Sequence, residues 1–275
     1  MCRLFGFRSI IEGQVHKSLV EADNALEVQS IKHPDGWGVA YYREGSPHII
    51  KSTDMAKNSA LFKKVSGVVS SKTVLAHIRK STIGENNILN THPFQYGPWV
   101  FAHNGNIKNF EDHREKIKET ITPELRQFIL GQTDSELIFF FLLSYLTQNK
   151  GNSVSTGVPL LRKAITDLTK MIGDYSVIDE GNTENFLTFI LSNGKSVYSH
   201  QGGKKLFYST HKSKCSESST CANYAPECEK EIPSGKVSHL IISSEPTLSE
   251  NVWSEFQVGE IIAAGEDMIV HKDRL

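Results

Sequence analysis

Short runs rich in β-branched and aromatic residues gather toward the two ends of the chain, with helical periodicity between them. This distribution restricts the fold more than any other feature. Segments 2–7, 36–42, 48–50, 73–79 and 99–103 read as a first strand series, and 174–178, 186–191, 206–209, 237–243 and 260–264 as a second. Arg43-Glu-Gly-Ser-Pro47 has turn chemistry and predicts a hairpin between the second and third strands. Helical spacing covers 17–30, 54–65, 107–118 and 159–171. The clearest helix opens at Thr133, placed with Glu136 at capping-box spacing, and continues through Leu137-Ile-Phe-Phe-Phe-Leu-Leu143. That apolar run is far too short to cross about 30 Å of hydrocarbon and reads as a buried helix. The pattern predicts an α+β sandwich, with residues 211–233, rich in Ser, Lys, Glu and Cys, as a loop insertion.

Charge and cysteine usage narrow the function classes. The 275 residues hold 30 Lys and Arg against 31 Asp and Glu, a net charge of -1. Such a chain lacks the cationic field on which nucleic-acid and anionic-membrane binders depend, so neither is expected as a partner. The N-terminus has no basic flank followed by a long apolar region, so no secretory signal is read. Four cysteines, three of them between Cys215 and Cys228, do not suit a secreted disulfide scaffold, and a reducing cytoplasm is the expectation. His211, Cys215, Cys221 and Cys228 offer soft ligands, but separations of four, six and seven lack a paired zinc-knuckle spacing. A loop with incidental thiols is the reading there and zinc the alternative; neither metal nor cofactor is expected.

Cys2 is the residue on which the chemistry turns. If Met1 is removed, the thiol shares its residue with the chain's own α-amine, whose ordinary pKa near 8 lets it accept the thiol proton at working pH. A cysteine alone reads first as a small buried hydrophobe.

The company Cys2 keeps changes that balance. Met1-Cys-Arg-Leu-Phe-Gly6, His33-Pro-Asp-Gly-Trp-Gly38, His77-Ile-Arg79, Thr91-His-Pro93, His103-Asn-Gly-Asn106 and Thr133-Asp-Ser-Glu136 stand in the order and spacing of class II glutamine amidotransferase domains. The chain resembles that family of N-terminal-nucleophile hydrolases, and more narrowly its stand-alone, YafJ-type branch, most specifically over residues 1–145. Tyr208-Ser-Thr210 and Ser244-Glu-Pro246 extend the resemblance into the second strand set, 173–275. It implies a four-layer αββα sandwich spanning 1–275 as a single domain.

The resemblance further implies that Cys2 is the nucleophile, that Asn104 and Gly105 form the oxyanion hole, and that Arg79 and Thr82 hold the substrate α-carboxylate. Asp134 would hold the α-ammonium. A guanidinium fork suits a carboxylate, and Asn-Gly is also the commonest turn dipeptide, so that pair reads either way. Asp35, Gly36, Trp37 and Gly38 are expected to shape the pocket, as are His92 and His103. His77, His92 and His103 read as satisfied structural residues rather than metal ligands or a Cys-His base. Synthase-fused relatives have tryptophan and histidine where this chain has Lys80 and Ile83. No acceptor or synthase domain is recognised after the second strand set, so released ammonia would need a separate acceptor or synthase subunit. The expected activity is hydrolysis of the γ-glutamyl amide of glutamine or a γ-glutamyl compound through a Cys2 thioester. The alternative is a non-catalytic or partner-dependent γ-glutamyl-binding subunit.

Overall fold

The strands sort into two antiparallel sheets in a computed structural model of the chain, which describes residues 2–149, 151–176 and 184–275. In chain order they are β1 (Arg3–Gln14), β2 (Trp37–Arg43), β3 (Ser46–Ser52), β4 (Ser70–Ile78), β5 (Phe94–Tyr96), β6 (Trp99–Asn106), β7 (Phe186–Ser192), β8 (Val197–His200), β9 (Phe207–Ser209), β10 (His239–Ser243), β11 (Ser254–Glu255), β12 (Glu260–Ala264) and β13 (Val270–Arg274). Seven form one sheet in the order β11-β9-β10-β1-β4-β2-β3, and six form the other in the order β13-β12-β8-β7-β6-β5. The helices are α1 (Leu26–Gln29), α2 (Ala60–Val68), α3 (Phe110–Thr120), α4 (Pro123–Arg126), α5 (Asp134–Gln148) and α6 (Val154–Ile172).

Three apolar clusters define the layers. Leu4, Leu75, Ala102, Ile190, Ile242 and Ile262 fill the space between the sheets. Phe101, Phe189 and Leu191 on the outer face of the six-stranded sheet pack against α3, α5 and α6, with Phe139 stacked on Phe101 at 5.4 Å between ring centroids. Trp37, Val39 and Ala76 on the outer face of the seven-stranded sheet pack against Leu26 of α1 and Phe62 and Val65 of α2. Two sheets with helices outside each make the expected αββα sandwich. Covered on both faces, strands such as β7 and β8 are buried at every residue and lose polar alternation. The same cause explains the apolar run of α5, whose Leu137 to Leu143 are all buried.

Several local expectations need correction. Residues 17–30 do not form one helix: a π-turn (Lys17–Glu21), α1 and a 3-10 turn (Ser30–Lys32) replace it. The chain turns extended at Ala22, and Asn24 is tied instead to distant groups, its Nδ2 donating to Glu245 Oε2 at 3.1 Å and Pro246 O at 3.0 Å. Tertiary hydrogen bonds have overridden helical spacing. The capping box is only half formed. Thr133 Oγ1 accepts from Glu136 N at 3.2 Å, but the Glu136 carboxylate accepts from the amides of Leu130 and Gly131. Of the strand expected at 174–178, Tyr175 makes an isolated bridge to Asn185, while 177–178 lie outside the described residues. The hairpin at 43–47 is present, with Arg43 opposite Ser46. Residues 211–233 contain one 3-10 turn, Pro226–Cys228, and are tied down by Lys212 N donating to Cys228 O at 2.8 Å and by the Lys212–Glu250 ion pair. Among the described residues no group of three or more His, Cys, Asp or Glu side chains is arranged to hold a metal ion, and no helix is long and apolar enough to cross a membrane.

Candidate active site

Register in the seven-stranded sheet places the sulfur. Arg3 pairs with Ile78 at the end of β4, so Cys2 meets the chain as it leaves that strand. Lys80 N donates to Sγ at 3.3 Å and Sγ donates to Lys80 O at 3.4 Å. Burial pushes the thiol pKa up, the Lys80 amide and the Arg79 charge pull it down, and the Asp134 charge pushes it up. The half-buried Cys2 therefore lies within electrostatic reach of both a cation and an acid. Met1 lies outside the described residues.

Arg79 is 2% exposed, and the segment that follows it wraps its guanidinium. Nη1 donates to Asn86 Oδ1 at 3.0 Å and Nη2 to Ser81 Oγ at 3.1 Å, with longer 3.4 Å contacts to the carbonyls of Ile83 and Glu85. Asp35 pins this corner: its Oδ2 accepts from Ser81 N at 2.8 Å and its own amide donates to Arg79 O at 3.1 Å. Thr82 is exposed and borders a cleft of about 880 Å³ together with Asn106 and Ile107.

Asn104 and Gly105 lie in β6, opposite Thr188 and Leu187, which removes the turn reading of that dipeptide. Asn104 is 3% exposed, and its Oδ1 is buried without a hydrogen-bond partner among the described residues. A Cβ at Gly105 would stand 2.0 Å from Phe186 O, so only glycine fits against β7. Asp134 opens α5, where the helix dipole favours a carboxylate. Oδ2 accepts from Ile107 N at 2.7 Å and Oδ1 from Ser135 N at 2.8 Å. Burial nevertheless outweighs these donors and lifts its pKa to about 6.

The Asp35-Gly-Trp-Gly38 segment forms the wall beside Arg79. Gly36, at φ 132°, accepts from Arg79 N at 2.8 Å. Trp37 is fully buried, edge-on to Phe62 at 5.0 Å. A Cβ at Gly38 would meet His92 O at 2.2 Å, a backbone approach that a side chain forbids.

The three histidines form a packed layer, and none of them hydrogen-bonds Cys2. His77 stacks on His92 at 4.2 Å and its Nε2 donates to His103 O at 3.2 Å. His103 Nε2 donates to Phe186 O at 2.9 Å, which leaves Nδ1 to accept from Ser135 Oγ at 2.9 Å. Burial drives the pKa of His77 to about 3 and of His103 to about 4, and that of His92 well below the usual imidazole range. All three are neutral at pH 7. No side-chain identity announces the Lys80 amide, and Ser135 stood within the Thr133-Asp-Ser-Glu136 motif without an assigned role. Ser81 and Asn86 carried a weak signal, since small polar residues around Gly84 are turn chemistry that can place acceptors around a preceding arginine.

A family model described as glutamine amidotransferases class-II matches residues 1–273. The "Putative glutamine amidotransferase YafJ" of Escherichia coli is 31% identical over 173 residues, 61% of this chain and 60% of its own. The "Gamma-glutamyl-hercynylcysteine sulfoxide hydrolase" of Mycobacterium tuberculosis is 29% identical over 115 residues, 38% of this chain and 49% of its own. The chain spans about half the length of the curated relatives it matches. A solved glutamine aminotransferase class-II domain protein from Silicibacter pomeroyi has the same fold, with a TM-score of 0.64 and 19% identity over 100% of this chain and 99% of that one.

Proposed function

The chain belongs to the class II glutamine amidotransferases, and from that premise we propose that it hydrolyses the γ-glutamyl amide of glutamine or a γ-glutamyl compound through a thioester on Cys2. The observation that carries this reading is the sulfur's position, hydrogen-bonded to the Lys80 amide within electrostatic reach of a buried cation, Arg79, and a buried acid, Asp134. A γ-glutamyl head is a zwitterion, so it needs one grip of each sign. Charge-assisted bonds from a substrate carboxylate would be shorter and stronger than the 3.4 Å carbonyl contacts that Arg79 makes, and would replace them. Asp134, at about 6, is mostly ionised at neutral pH and accepts the ammonium.

With Met1 removed, the α-amine of Cys2 takes the Sγ proton and the thiolate adds to the amide carbon. The carbonyl oxygen becomes an oxyanion facing the Asn104 carboxamide and the Gly105 N–H. Collapse expels the leaving nitrogen, which receives the proton from the Cys2 ammonium. Water then adds to the thioester, its proton passing to the same amine, and glutamate departs as the thiol re-forms. The name of the Mycobacterium relative supports extending the substrate beyond glutamine. Ammonia released from glutamine would serve an acceptor or synthase subunit that binds this chain. Residues 1–275 are read as one amidotransferase unit throughout.

The test is glutamate release by Met1-free protein. Cys2→Ala is expected to abolish it with an unchanged unfolding midpoint, and Cys2→Ser to retain a fraction; undiminished release by Cys2→Ala would overturn the mechanism. The wrapped Arg79 favours one rival, a partner-dependent γ-glutamyl binder, which predicts calorimetric binding of glutamine without turnover.

A further inference from the structure

The grips on the glutamyl head say nothing about the other half of the amide, which must lie beyond the attacked carbon. Two clefts are bordered by residues assigned to the site, Thr82 in one and Asn104 in the other. Thr82, Asn106 and Ile107 border the larger, on the side of the head. Asn104, two residues before Asn106 and so on the same face of β6, borders a second cleft of about 280 Å³ with Arg3, Asn24, Lys204, Lys205 and Glu245. Ammonia, close to water in size, needs about 30 Å³. The space therefore suits a leaving amine of several heavy atoms.

The charges in that cleft are unequally committed. Arg3 is ion-paired with Glu245, and Asn24 Nδ2 donates to the other Glu245 oxygen at 3.1 Å, so this carboxylate is held from two sides. Lys204 is buried, with its ammonium 3.3 Å from the centroid of the Phe186 ring. Lys205 differs. Its side chain is 60% exposed and lies 3.4 Å from Glu255 Oε1, itself 47% exposed, an ion pair of the weakly held surface kind. A carboxylate entering the cleft can take that ammonium at little cost.

We propose that the Asn104–Lys205 cleft is the leaving-group subsite and that it selects γ-glutamyl amides whose amine half carries a carboxylate, an amino acid or short peptide, with Lys205 as the specificity determinant. The proposal rests on the reading of Cys2 as the point of attack. Hydrolysis at this site then yields glutamate and a free amino acid or peptide, the proton of the Cys2 ammonium going to the departing amine.

The experiment compares γ-glutamylglycine with the uncharged γ-glutamylethylamide, using Met1-free full-length protein and glutamate release. kcat/KM for γ-glutamylglycine should exceed that for the ethylamide by about tenfold, the effect of one charged hydrogen bond. Lys205→Glu should erase or invert the ratio, and Lys205→Arg should keep it. A ratio near one in the unaltered protein, or a ratio that survives Lys205→Glu, overturns the subsite. Calorimetric titration of the Cys2→Ala protein with both compounds separates the two levels of the argument. Absent turnover with about tenfold tighter binding of γ-glutamylglycine sinks the catalytic reading and keeps the subsite, while equal binding sinks the subsite.

Discussion

Asp134 should make activity and stability respond to acid in opposite directions. Its folded-state pKa of about 6 lies above the ordinary carboxylate value of about 3.9, because burial disfavours the charge more than the amides of Ile107 and Ser135 favour it. Between those two values the folded chain binds more protons than the unfolded chain, so this group makes stability fall as pH rises through the window and recover as pH drops. At about 1.4 kcal/mol per pKa unit the limit is roughly 3 kcal/mol, of which roughly 2 kcal/mol is developed between pH 7 and pH 4. Asp134→Asn removes the titration, whereas the buried histidines titrate in both proteins and cancel in the difference. Urea unfolding of the two proteins at pH 7, 6, 5 and 4, followed by tryptophan fluorescence, should show the unaltered protein gaining on the variant by that amount as pH falls. Over the same range kcat/KM of the unaltered protein for glutamine should decline through about pH 6, as the carboxylate proposed to receive the ammonium is protonated. A stability difference that stays flat from pH 7 to pH 4, or runs the other way, would refute the account of a buried, reluctantly ionised Asp134.

Two further substitutions probe the neighbouring strands. Asn104→Ala should lower kcat by about 10²- to 10³-fold with a smaller change in KM, since one oxyanion donor is worth about 2.7 to 4 kcal/mol of barrier; a kcat within twofold of normal in steady-state assays would remove Asn104 from the site. Gly38→Ala should cost about 3 kcal/mol or more, because the new methyl meets backbone at His92 O rather than a side chain that can move aside, and a thermal midpoint within about 2 °C of normal would contradict the crowding.

The layered architecture was legible because two-sided burial leaves a plain mark in composition: β7 is mostly apolar, and α5 is wholly apolar from Leu137 to Leu143. Residues 17–30 misled for the opposite reason, since a helix-like spacing there is overruled by Asn24 binding Glu245 and Pro246 more than two hundred positions away. The strands β5, β8, β11 and β13 were missed because polar residues leave them no apolar run of the kind that marks the equally short β10 and β12. At the site, motif order singled out Cys2, Arg79, Asn104 and Asp134, but the groups that hold them are mostly backbone. Lys80 N, Ile107 N and Gly36 O have no side-chain identity by which a reader could find them.

The strand that follows Cys2 is interior to its sheet, with β4 on one side and β10 on the other. About 240 residues separate Phe5 from its register partner Ser243. A ribosome adding about 5 to 20 residues per second needs on the order of ten seconds or more to deliver the second neighbour. Through that interval the first-made strand presents an unzipped edge, and the segment around Cys2 is among the last parts to gain its final surroundings. Newly made chains should therefore lean on chaperones longer than a protein whose opening strand pairs locally, and the Cys2 thiol gains its final surroundings only after β10 has emerged.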